Sequence, residues 1–405
     1  MQNTVRDPRA VLRMRSNAAR VLASAIVIVS AMAVSSAHAQ TFTVLYTFTD
    51  ETQGWQPDAA PIVDDNGNLF GTTQYGGTAG GYGTVYELDG GGKETVLYSF
   101  SGTPDGEDPE GSLFRTNAGY LYGTTIYGGT GGGYGTVFQL AASGKLTLLH
   151  SFTDTPDGAD PHGSLVPDRQ HNGYGTTQYG GTGGGYGTVF KVSQTGEQSI
   201  LYSFSGTPDG EDPEAGLLRD TAGNLYGTTV YGGTAGGYGT VFKLAPNGKL
   251  TLLHSFAGTP DGENPYAALA ADSSGNGYGT TKYGGTAGGY GTVFKISRTG
   301  TFTLLHSFAG NPDGVNPVSP VVVDRAGNVY GTTFYGGTSG YGSVFEIDTT
   351  GKFTILHSFT GTSDGANPMA GLTLDALGNL YGATTEGGDL SCGFSGCGVI
   401  FKVTP

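Results

Sequence analysis

The sequence predicts an all-β protein: a ring of seven four-stranded blades, a β-propeller closed by its own N-terminal strand. Three observations carry that prediction. A Phe/Tyr-Gly-Thr/Ala-Thr motif starts at Phe70, Tyr122, Tyr174, Tyr226, Tyr278, Tyr330 and Tyr381, with five spacings of 52 residues and a last one of 51. Such a period lies close to propeller repeat lengths. Each unit holds four short runs rich in Thr, Val, Leu, Tyr and Phe, split by Gly, Asn and Pro turns, which suits strands. The ends then decide between a ring and an open solenoid. Residues 41–48, TFTVLYTF, match the fourth run of a unit, and the final GVIFKVTP matches the third. The spare first strand therefore completes the last blade and removes an open edge, where a solenoid would carry polar capping repeats.

The fourth unit shows the elements in order. Residues 214–220 form the first run, followed by the turn TAGN; residues 224–233 form the second, ending in a glycine-rich loop. Residues 238–244 form the third, and residues 249–256 the fourth after the turn APNG. No apolar 3.6-residue period competes, and 75 glycines among 405 residues would destabilise most helices.

Residues 1–39 read as a cleaved export signal. Arg6, Arg9, Arg13, Arg15 and Arg20 form the basic start, an apolar stretch spans 21–36, and Ala-His-Ala at 37–39 is the small-x-small cleavage pattern, leaving Gln40 first. With no second apolar span and no C-terminal anchor, the mature 40–405 segment is expected to be a single soluble propeller, exported to the periplasm or beyond, and a monomer. Loss of five Arg and one Asp with the signal moves the formal charge from −15 to −19. That charge disfavours nucleic acid and anionic membranes as partners. Cys392 and Cys397 are the only cysteines, and export makes a local disulfide the expected pairing.

The repeat, D-x-x-G-N-L-Y-G-T-T-x-Y-G-G followed by G-T-V-F-K-L and T-L-L-H-S-F, resembles the GloVer tandem repeat of exported bacterial proteins over essentially the whole mature chain. The resemblance implies an extracellular or surface-associated repeat protein and brings no established activity with it. A fainter similarity to kelch repeats lies in the Gly-Gly after the second strand and implies only the fold.

With strands lettered A to D outward from the axis, one face of the ring carries the D-to-A segments and the B-to-C glycine loops. The other carries the A-to-B and C-to-D turns. The D-to-A segments contain Asp-Gly-x-x-Pro, starting at Asp105, Asp157, Asp209, Asp261, Asp313 and Asp364. Asp-Gly and Pro make a turn, which is the favoured reading. The same Asp, with an Asp or Asn three residues on, could also offer two oxygens to Ca2+. Asp64, Asp168, Asp220, Asp272, Asp324 and Asp375 open the A-to-B turns, with Thr116 in the remaining blade. A hydroxyl in that place points to a turn-capping oxygen. His150, His254, His306 and His357 share a strand-D position with Tyr46, Tyr98 and Tyr202. That position asks for a flat ring with one hydrogen bond and excludes a shared catalytic base.

No nucleophile with its base, paired carboxylates or metal triad is recognisable, so no catalytic residue and no metal ligand are assigned. Asymmetry appears at Trp55 in the first unit, at His162 and His171 in the third, and at Glu386 with the cysteine loop in the seventh. Tyrosine is the more suggestive resource. Tyr75, Tyr127, Tyr179, Tyr231, Tyr283 and Tyr335 open the glycine loops, and six further tyrosines close them. The opening set, with Trp55 and Glu386, forms the candidate ligand-binding residues, although packing between blades would also use such rings. The residue after each of these Gly-Thr/Ala-Thr motifs varies freely: Gln74, Ile126, Gln178, Val230, Lys282, Phe334 and Thr385. The sequence thus favours a non-enzymatic interaction module, multivalent for glycans or cell-surface polymer. An exported polysaccharide lyase or hydrolase with a central-channel site is the alternative, and a structural surface protein is a third.

Overall fold

The computed structural model describes residues 40–392 and 395–405; the export signal expected at 1–39 lies outside the described residues. Seven four-stranded antiparallel sheets form the blades of a β-propeller. In the fourth blade, strands A to D are Leu218–Arg219, Leu225–Thr229, Thr240–Leu244 and Leu250–Ser255. Strand A is much shorter than its sequence suggests. Upstream of it Asp212 adopts φ 54° and Pro213 has no N–H to give a ladder, so the residues before Leu218 leave the sheet.

The seventh blade joins the chain ends: Thr41–Thr47 pairs with Val399–Thr404 as its strand D. The match extends to an irregularity. Every C–D pair slips at one point, between Val241 and Phe242 in the fourth blade, and the closing strand slips likewise between Val44 and Tyr46. A repeated bulge of this kind increases strand twist, and the first strand reproduces it.

The core lies between blades. Tyr226, Val241 and Phe256 of the fourth blade pack on Leu269, Phe294 and Ile296 of the fifth. At every seam an aromatic just after strand D meets a strand-C aromatic edge to face, as in Phe256–Phe294 at 5.3 Å; the closing seam uses Phe48 and Tyr86 at 5.5 Å. Such pairs add to area burial. The glycine of the Tyr-Gly-Thr motif makes room for the ring: a Cβ on Gly227 would stand 2.6 Å from Phe242. A second close approach ties neighbouring blades together. Gly239, at φ +98°, would place a Cβ 2.6 Å from Pro265 of the next D-to-A segment, and Gly398 meets Pro57 in the same way at the closure.

Candidate functional site on the loop face

The glycine loops are held to the D-to-A segments by paired backbone hydrogen bonds, so the opening tyrosines stand at fixed places. Glu107 and Tyr127 exchange N–H···O bonds of 3.0 and 3.2 Å, and the same bridge joins Trp55 to Tyr75 and Ala366 to Glu386. Tyr127, Tyr179, Tyr231, Tyr283 and Tyr335 are 39–49% exposed. The closing tyrosines have a clearer packing task, because their rings cover glycines of the segment entering the next blade: Tyr82 over Gly102, Tyr238 over Gly258. In the first blade Tyr75 is less exposed and lies 4.9 Å from the Trp55 ring. These two rings, Glu51 and the glycine tip line an open recess of about 380 Å3. Glu386, half-buried, takes the tyrosine place in the seventh blade.

The Asp-Gly-x-x-Pro carboxylates are occupied within their own turns. Asp105 accepts from the Ser101 N–H and hydroxyl at 3.0 and 2.6 Å, and from the Tyr98 hydroxyl at 2.5 Å. His150, His254, His306 and His357 bond the equivalent Asp at 2.7–3.1 Å, and Tyr46 bonds Gln53 at 2.8 Å. The ring-plus-hydrogen-bond role of that strand-D position is thereby seen in Tyr and His blades alike. The residue before Pro, whether Asp, Asn or Gln56, lies at φ 54–56° in all seven segments, a conformation that Asp and Asn tolerate well. Its N–H reaches the preceding blade, as in Asp108 N–H to the Tyr82 carbonyl at 3.1 Å. Among the described residues no three His, Cys, Asp or Glu side chains converge in a metal-binding arrangement.

The A-to-B turns are capped as their composition implies: the Asp220 carboxylate accepts from the Ala222 and Asn224 N–H groups, and the Thr116 hydroxyl accepts from the Tyr120 N–H at 3.1 Å. His171 occupies the positive-φ turn position that glycine holds in the other blades and is exposed. Cys392 and Cys397 are disulfide-bonded. Their loop sits at the closing seam, where the Cys397 carbonyl accepts from the Gln56 N–H at 3.1 Å.

At the axis the segments converge on a well of about 370 Å3. Its mouth is set by the residue after each segment's proline: Asp58, Glu110, His162, Glu214, Tyr266, Val318 and Met369. Four of the variable residues, Gln74, Gln178, Lys282 and Thr385, meet these side chains, whereas Ile126 and Val230 are buried. Gln74 donates to Glu110 at 2.9 Å, Glu110 meets His162 Nδ1 at 3.2 Å, His162 Nε2 meets Gln178 Oε1 at 3.1 Å, and Gln178 donates to Glu214 at 2.8 Å. Thr385 donates to Asp58 at 2.8 Å, and Lys282 lies 4.6 Å from the centre of the Tyr266 ring. Burial and the nearby Glu110 push the Asp58 carboxyl up to about 8; burial pushes Glu214 up to about 7 against the pull of His162. Burial opposes charge on His162, but the hydrogen bond and charge of Glu110 outweigh it and raise its proton affinity.

The sequence pattern of the Gloeobacter/Verrucomicrobia repeat matches residues 31–236 and 184–401. The chain belongs to this repeat family. No curated protein matches it in sequence. Among solved structures it is similar to the extracellular domain of a proposed one-component system, BT4673 of B. thetaiotaomicron, with TM-score 0.57 and 11% identity, over 89% of this chain and 39% of that one. It is also similar to the gluconolactonase XC5397 of Xanthomonas campestris, with TM-score 0.42 and 14% identity, over 71% of this chain and 82% of that one. At 11% identity the likeness to the BT4673 domain is one of fold alone.

In this member of the repeat family the residues after proline line the axial well, and Gln74, Gln178, Lys282 and Thr385 bond to or lie against them. Sequence reasoning had singled out the residues after the Gly-Thr/Ala-Thr motifs, and of the residues after proline only His162, without its neighbours. The signal was present: one position reads Asp, Glu, His, Glu, Tyr, Val and Met beside an unvarying proline. The candidate tyrosines, Trp55 and Glu386 stand around the well on the same loop face.

Proposed function

We propose that this protein is an exported, non-enzymatic binding module that holds a glycan or another hydroxylated cell-surface polymer on its loop face. The observation that carries the reading is the half-exposed aromatic rim, five opening tyrosines with the Trp55–Tyr75 pair, fixed by backbone bridges around one face. Aromatic faces with polar edges stack on the CH faces of sugars at small entropic cost, and repeated weak contacts combine through effective concentration. Export is supported by the basic-apolar-AHA start, by the repeat family and by the extracellular propeller it is similar to. A glycan array and sedimentation with insoluble polysaccharides test the reading. Retention by at least one polymer, weakened tenfold or more by Trp55→Ala with Tyr231→Ala, is expected; no retention on any polymer refutes it.

A second reading, an enzyme acting on polysaccharide through the channel, is favoured by Asp58 and Glu214, whose raised proton affinities suit acid–base work. Release of new reducing ends from a retained polymer, lost in Glu214→Gln, would establish it over the binding-only reading.

A further inference from the structure

We propose that the axial well is a separate, single site for one neutral pyranose unit, the terminal residue of a chain, inserted end-on between a polar arc and an apolar arc. The proposal rests on the glycan reading of the rim and names what the centre of that face takes.

The polar arc runs over the blades that begin with Asp58, Glu110, His162 and Glu214. The four hydrogen bonds from Gln74 to Glu214 make it one continuous chain of side chains. Because the Gln178 amide donates to Glu214, its oxygen faces His162 Nε2, while Glu110 takes Nδ1. Both ring nitrogens of His162 thus face oxygens, and Glu110 favours its charged form. Around the mouth acidic and basic side chains alternate: Glu110, His162, Glu214, and Lys282 over Tyr266. Alternation leaves little net charge for an ion to answer. It offers acceptors and donors in turn, which hydroxyl groups satisfy because each can both give and accept. The opposite arc is Tyr266, Val318 and Met369 with Pro320, an aromatic and apolar surface for the CH face of a sugar ring.

Two features argue for one site and not seven. The copies of the unit agree closely elsewhere, at the Thr-Thr pair and the proline, and diverge where side chains meet the axis. The well, at about 370 Å3, lies at the lower end of small-ligand pocket volumes and suits a single ring.

The test is titration of the full exported chain with D-glucose, D-galactose, D-mannose and N-acetyl-D-glucosamine, followed by calorimetry and by the His162 ring nitrogen signals. Saturable binding of at least one sugar is expected, with perturbed His162 signals and a loss of tenfold or more in Tyr266→Ala. Val318→Trp, which fills the apolar arc and leaves the polar chain intact, should abolish it. Tyr335→Ala on the rim, whose ring packs on Phe334, should leave monosaccharide binding unchanged. Polymer retention with no monosaccharide binding, or monosaccharide binding that survives both axial variants, overturns the axial site and spares the rim. Monosaccharide binding without polymer retention overturns the rim reading and spares the axial site.

Discussion

Tyr86→Phe should stabilise the protein. Tyr86 is fully buried at the closing seam, and its hydroxyl has no hydrogen-bond partner among the described residues. It lies where a Cβ on Gly71 would be, 2.4 Å away. The other six blades place Phe138, Phe190, Phe242, Phe294, Phe345 or Phe401 at this position, so the fold itself supplies the control. A buried hydroxyl left without a partner costs about 1–3 kcal/mol, and its removal changes neither the ring nor its edge-to-face contact with Phe48. An unfolding entropy of about 2.1 cal/mol/K per residue, taken over a ring of this length, makes that gain roughly 1–4 °C in Tm. Urea denaturation of the two proteins, with equal slopes, measures the difference directly. The reciprocal change Phe242→Tyr should destabilise by a similar amount. A Tyr86→Phe protein that loses more than about 0.5 kcal/mol would show that the hydroxyl is satisfied, and the reasoning would fail.

Other consequences are as direct. Gly239→Ala forces a side chain onto positive φ and against both the Thr229 carbonyl and Pro265; about 3 kcal/mol or more of lost stability is expected in the same assay. Asp58 binds its proton more tightly in the fold, near 8 against 3.8. Stability should therefore fall as pH rises from about 4 to 8, and Asp58→Asn should flatten that slope. The turn carboxylate Asp272, lowered to about 2 by hydrogen bonds from Asn276 and Tyr278 that outweigh its desolvation, acts in the opposite sense. Its contribution is present above pH 4 and is lost as pH falls toward 2, so Asp272→Ala should be less sensitive to acid. Reduction of Cys392–Cys397 opens a five-residue separation and should lower unfolding free energy by about 2 kcal/mol, read as a shift in urea midpoint with and without dithiothreitol.

The ring was legible because its determinants are periodic and local. Thr, Val and Phe runs, Asx turns and glycines recur at fixed offsets, and a spare strand at the start, with one lacking in the last unit, betrays the closure. The length of strand A was not legible. Residues 214–217 look like strand, but Pro213 and the left-handed Asp212 turn the chain before a ladder can form. The axial wall was half legible. Gln74, Gln178 and Lys282 announced themselves by varying where their surroundings do not. Glu110 and Glu214 were hidden inside what reads as a turn motif, and only the ring brings residues 52 apart, such as Glu110 and His162, within 3.2 Å. The tyrosines show the remaining difficulty. A ring that covers a glycine and one that does not share the same letter: Tyr82 lies over Gly102 of the next segment, yet it and Tyr127 are similarly exposed.

The pairing of Thr41 with Thr404 has a bearing on orientation. Strand D begins, and strand C ends, at the turn side of the ring, so both ends of the propeller emerge together on the side away from the tyrosines and the well. Any tether joined at either end would hold the molecule from behind, like a dish on a stalk, with the loop face turned outward. An attachment or label added there would leave the loop face clear, whereas one inserted in a glycine loop would stand on it.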